Sequence, residues 1–165
     1  NMKKGLSVLL AILWAFSLAA CGGGGSDGQS EQTDLPAPLE EDPWLVSLVE
    51  DVYGGELPEG DGAMVYGLEL AKSTNGARFQ SDYLGKAVEV SGTVFQIEAD
   101  YLVLGYSLAG ELGTIGANGG IHVYLDTEEL AELTPLSAVT VVGTLAADES
   151  GTCTALLEDA YLVEE

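Results

Sequence analysis

The stretch Lys86–Ile97, K-A-V-E-V-S-G-T-V-F-Q-I, constrains the fold more than any other part of the chain. Side chains alternate across a strand, so Val88, Val90, Gly92 and Val94 fall on one face and Glu89, Ser91 and Thr93 on the other. A glycine inside such a run marks a point where the strand can bend sharply.

Four more strands are predicted at Tyr101–Tyr106, Ile121–Leu125, Val139–Leu145 and Cys153–Val163. Between the third and fourth strands lies a short helix over Thr127–Leu133, opened by Asp126 or Thr127 and followed by Pro135. Upstream the period is helical. Trp44, Leu45, Leu48, Val49 and Val52 form one helix, with Asp42 as N-cap, Pro43 at its first position and Gly54-Gly55 at its end. After a polar hinge over 56–62, Met64, Leu68, Ala71, Asn75 and Phe79 place one stripe on a second helical segment, Ala63–Asp82, weakened at Gly76. Helix, three strands, helix, two strands is the element order of an OB-fold, whose first strand coils across both halves of a small barrel. The predicted class is mainly β with α, a five-stranded OB-fold barrel preceded by N-terminal helices.

Asn75, then Tyr83-x-Gly85-Lys86, then V-x-V-x-G-x-V over Val88–Val94, and V-T-V-V-G-T over Val139–Thr144 before a Leu-rich last strand resemble the bacterial tRNA_anti-like OB-fold family. The likeness covers about residues 61–163. Ser137-Ala138 stands where that family has a Gly-Asp-like turn, and the loop between strands two and three is unusually rich in glycine. The resemblance implies a barrel and a secreted or lipid-anchored setting. It does not imply tRNA binding, because the family name records likeness of fold.

The N-terminal stretch addresses location. Lys3 and Lys4 precede an apolar run from Leu6 to Ala20, which ends in Leu18-Ala19-Ala20-Cys21. As a helix this run reaches about 22 Å, short of a hydrocarbon core of about 30 Å. It reads as a lipoprotein signal: residues 1–20 are removed and Cys21 carries lipid as the first mature residue. The remaining organisation is a flexible acidic linker over 21–42, a short helix and hinge over 43–62, and the OB-fold domain over 63–165. Loss of Lys3 and Lys4 takes the net charge from −22 to −24, and the cations that remain are Lys72, Arg78 and Lys86. Such a balance excludes nucleic acid and anionic lipid surfaces as natural partners.

Motifs for chemistry are absent. Gly85-Lys86 lacks the glycine pattern of a phosphate loop. Gly110, Gly113, Gly116 and Gly119 recur without proline, a following helix or a nearby cation, and read as a plain flexible loop. No spacing makes a calcium loop, His122 has no ligand partner for zinc, and no serine or cysteine has a recognisable base. Cys153 reads as a small buried strand residue. No catalysis, cofactor or metal is therefore expected. If Ile121, Val123 and Leu125 point inward, His122 and Tyr124 point outward beside either Tyr101 and Val103 or Leu102 and Leu104. The candidate ligand face is Tyr101, Val103, His122 and Tyr124, where an OB-fold usually binds. The expectation is a lipid-anchored, extracytoplasmic binding module for a small molecule or peptide. The alternative is an acidic interaction protein that docks a basic partner of the envelope.

Anchoring is expected to depend on Cys21, since two acyl chains hold a protein where one is marginal. Metabolic labelling with a fatty acid should show lipid on the wild type. Cys21→Ser should yield an unlabelled, uncut precursor; cleavage after Ala20 with lipid still attached would refute the lipobox.

Overall fold

The computed structural model describes residues 35–164. The expected signal segment, Cys21 and the expected linker up to residue 34 lie outside the described residues. The main elements are α1 (Pro43–Tyr53), α2 (Ala63–Thr74), α3 (Gly76–Asp82), β1 (Ala87–Ile97), β2 (Tyr101–Gly105), β3 (Ile121–Tyr124), α4 (Thr127–Glu132), β4 (Ala138–Ala146) and β5 (Ala155–Leu162).

The five strands close into a barrel in the order β1-β2-β3-β5-β4. The β3–β5 pair is parallel and the other pairs are antiparallel. This is the topology of an OB-fold-like barrel, as the element order predicts. Closure depends on β1 serving two neighbours. Its first part pairs with β4 from Ala87↔Thr144 to Thr93↔Ala138, and its second part pairs with β2 from Thr93↔Gly105 onward. The changeover falls beside Gly92, where a Cβ atom would stand 2.7 Å from Leu104 Cγ and 2.9 Å from the Gly105 carbonyl oxygen. A side chain there would collide with β2, so the bend and the glycine are one requirement.

Inside, Val90, Val94, Leu104, Ile121, Val141 and Leu157 are fully buried. The alternation of β1 holds through Gly92 and then departs from expectation: Thr93 is buried, not outward. Its Oγ1 donates to Ser107 Oγ at 3.1 Å, because the segment after β2 folds over this point. Ser107-Leu108 also pairs with Gly60-Asp61, so the predicted hinge is partly strand. Cys153 is buried, as expected, but it precedes β5, which begins at Ala155.

The helices follow their sequence signals with one revision. Asp42 Oδ1 accepts from the backbone N–H groups of Trp44 at 2.9 Å and Leu45 at 3.1 Å, and Gly54 ends α1 at φ 88°. Leu45 and Val49 are buried against α2 while Val52 is exposed. The single segment predicted over 63–82 is two helices. Asn75 closes α2 with its own N–H on the Ala71 carbonyl and opens α3 by accepting from Arg78 N at 3.1 Å. A capping side chain cannot also sit in an apolar stripe, so Asn75 is exposed whereas Met64, Leu68, Ala71 and Phe79 are buried.

The flexible linker expected to continue to residue 42 also needs correction at its far end. Leu39–Glu41 is a 3-10 turn with Leu39 buried. Pro38 bridges to Glu89, Glu40 accepts from the Ser91 N–H at 3.2 Å, and Tyr83 Oη donates to Asp42 Oδ2 at 3.0 Å. The strap covers β1 where that strand is not yet paired with β2, which satisfies an edge that would otherwise be open.

Candidate aromatic face and its loops

Strand register brings the predicted face together. Tyr101 lies opposite Tyr124 and Val103 opposite His122, which selects Tyr101 and Val103 over Leu102 and Leu104 as their neighbours. The Tyr101 and His122 rings stack with centroids 4.7 Å apart at 22°, and Tyr101 meets Tyr124 at 5.4 Å and 41°. Tyr124 is 37% exposed, whereas Val103 is 7% exposed. Val103 is therefore floor rather than contact surface.

The flanking acids set the electrostatics. Burial holds His122 below its ordinary pKa, with Asp148 pulling the other way, so the ring is uncharged at neutral pH. Burial, and then Asp100, raises the phenol of Tyr124. The face thus offers neutral rings beside two carboxylates.

The loop between β4 and β5 is wound around one of those carboxylates. Asp148 Oδ1 accepts from the N–H of Ser150 at 2.9 Å, and Oδ2 accepts from the N–H groups of Thr152 at 2.6 Å and Cys153 at 2.8 Å. The Ser150 hydroxyl adds the largest stabilisation of the charge, and Asp148 sits well below the usual carboxylate range. From the other side, Lys72 Nζ donates to the carbonyls of Cys153 at 3.0 Å and Thr154 at 2.8 Å. One anion and one cation fix this loop.

A third side chain, the carboxyl of Glu69, lies under the glycine-rich loop. Glu69 on α2 is buried, and burial raises its carboxyl pKa although the backbone N–H groups of Gly116, Ala117 and Asn118 favour its charge. A Cβ atom on Gly116 would lie 1.8 Å from Glu69 Oε2. The loop is also pinned where Tyr106 and Thr114 exchange backbone hydrogen bonds at 2.8 and 2.7 Å. The expectation of a plain flexible loop therefore needs correction: Gly116, Gly119 and Gly120 are sites of close approach, whereas Gly110 stands in open space. Glu69, Lys72 and Asp148 were not candidates from sequence. The available signal was an acid and a base at helical spacing after Val65 and Leu68, on the face of α2 that meets the barrel.

Among the described residues, no three His, Cys, Asp or Glu side chains gather as metal ligands, and no helix is long and apolar enough to cross a membrane.

No protein-family model and no curated protein matches the chain. Two solved structures resemble it. One is described as a candidate nucleic acid-binding lipoprotein from Klebsiella pneumoniae subsp. pneumoniae MGH 78578; it is 19% identical, with a TM-score of 0.46 over 70% of this chain and 98% of that one. The other is the hypothetical protein YgiW from E. coli, 20% identical, with a TM-score of 0.32 over 51% of this chain and 82% of that one.

The geometry predicts an inert thiol. Burial, then the hydrogen bond with Asp148, pushes Cys153 up to about 12, so little thiolate exists at pH 8. Iodoacetamide at pH 8, followed by peptide mass mapping, should leave Cys153 unmodified in the native chain and modify it after denaturation. Asp148→Ala, which frees the loop, should speed native labelling at least tenfold. Equal rates in native and denatured wild type would contradict this placement.

Proposed function

We propose that this chain is a non-catalytic OB-fold binding module, tethered on the extracytoplasmic side of a membrane by lipid on Cys21, within the tRNA_anti-like OB-fold family. The observation that carries the reading is the row of Tyr101, His122 and Tyr124 rings on the outer face of β2 and β3. This is the region that OB-folds use for ligands, between the first-to-second and fourth-to-fifth loops. The ligand that fits is a sugar ring or a short peptide with an aromatic or cationic side chain, able to stack on neutral rings beside Asp100 and Asp148.

Nucleic acid is a poor fit. Binding a single strand requires a positive groove along the phosphates as well as rings. Lys72 is engaged with two carbonyls, and Arg78 pairs with Asp82 while lying 3.9 Å from the centre of the Trp44 ring. Neither supplies such a groove, and the name borne by the Klebsiella protein describes that protein.

The test is a binding screen of the full chain in nonionic detergent, against neutral oligosaccharides, short aromatic or basic peptides, and labelled single-stranded oligonucleotides. One sugar or peptide is expected to bind, with about a tenfold loss in Tyr124→Ala at unchanged melting temperature. Oligonucleotide binding that weakens as salt rises, or a screen in which no sugar or peptide binds with an affinity that Tyr101→Ala or Tyr124→Ala weakens, would overturn the assignment.

A further inference from the structure

A groove of about 550 Å³ lies where α4 meets the barrel beside the bend of β1. Its lining includes the apolar Leu133, Val139 and Leu162, a pair of hydroxyls, and four acidic side chains: Asp61, Glu129, Glu132 and Glu164. None of these residues belongs to the aromatic face. No Lys, Arg or His lines the groove. Lys72 and Arg78 are committed elsewhere, and Lys86 stands at the head of β1.

We propose that this groove docks an extended cationic peptide segment of a partner protein, with Lys or Arg heads at the carboxylates and aliphatic groups on the apolar floor. The argument is complementarity of charge and of shape together. Four acids held around one depression repel one another, and a cationic occupant converts that repulsion into attraction. Lys and Arg suit the mixed lining because their methylene stems cover apolar surface while their heads reach polar groups. A metal ion would leave Leu133, Val139 and Leu162 uncovered, and an anionic surface would be repelled. The volume falls within the range of about 300–1,000 Å³ typical of sites that enclose a ligand of a few residues or fewer.

The probe is a fluorescein-labelled Lys-Leu-Lys-Leu-Lys peptide, its anisotropy measured with the full chain in nonionic detergent and empty micelles as the blank. Saturable binding is expected at low salt. The combined variant Asp61→Asn, Glu129→Gln, Glu132→Gln should raise Kd about tenfold, as three partly exposed charge contacts of modest size would together. Glutamine at 129 keeps the capping group of α4, so the variant should fold. A peptide with Ser in place of Leu should also bind about tenfold more weakly, which tests the floor without altering the protein. Removing three acids elsewhere, by Asp51→Asn, Glu98→Gln and Glu149→Gln, should change Kd by less than about twofold. The proposal fails if the peptide does not bind, if this control variant weakens binding as much as the groove variant, or if the Ser peptide binds equally well. It also fails if Tyr124→Ala abolishes binding, which would put the peptide on the aromatic face and leave the module reading intact.

Discussion

The bend of β1 over Leu104 is the constraint on which the barrel rests. One strand must leave β4 and join β2 within a few residues, and it does so at Gly92, where no Cβ atom can be accommodated. A small barrel gains its stability by burying one continuous interior, so an open seam would expose Val90, Val94 and Leu104 together. The strap of residues 38–40 and the Ser107 segment finish the job on either side of the bend, one covering the free part of β1 and the other covering Thr93.

Charged groups do a different kind of work in this acidic chain. Lys72 and Asp148 are each satisfied by backbone groups, Lys72 on carbonyls and Asp148 on the N–H groups of its own loop, while Glu69 lies buried under the glycine-rich loop. Charge-assisted hydrogen bonds of this kind are stronger than neutral ones and specify position. The β4–β5 loop that borders the aromatic face is thus held by ionic side chains. The remaining acids stay outward, and some of them converge on the groove beside α4.

Local chemistry was legible in the sequence. Asp42-Pro43 and Gly54 bounded α1, V-x-V-x-G announced β1, and alternation sent His122 and Tyr124 outward. What could not be read depends on partners distant in the chain. Thr93 is buried because Ser107 meets it, Leu39 is buried because the strap returns to β1, and Gly116 is required because Glu69 lies beneath it. Composition suggested flexibility for the strap and for the glycine-rich loop, yet tertiary contact decided both. Asn75 belongs to the same class of error: apolar periodicity ran through it, while its capping chemistry split the helix. For the candidate site, the face was readable from alternation, but the exclusion of Val103 and the role of Asp148 were not.

The most direct measurement of this account is the unfolding free energy of Gly92→Ala, from urea titration of the full chain followed by circular dichroism. A methyl group crowding Leu104 and the Gly105 carbonyl should cost about 1–3 kcal/mol, the usual range for overpacking, with the midpoint shifting accordingly. An unchanged midpoint and slope would show that the barrel closes without the glycine bend, and would contradict the central role assigned to it.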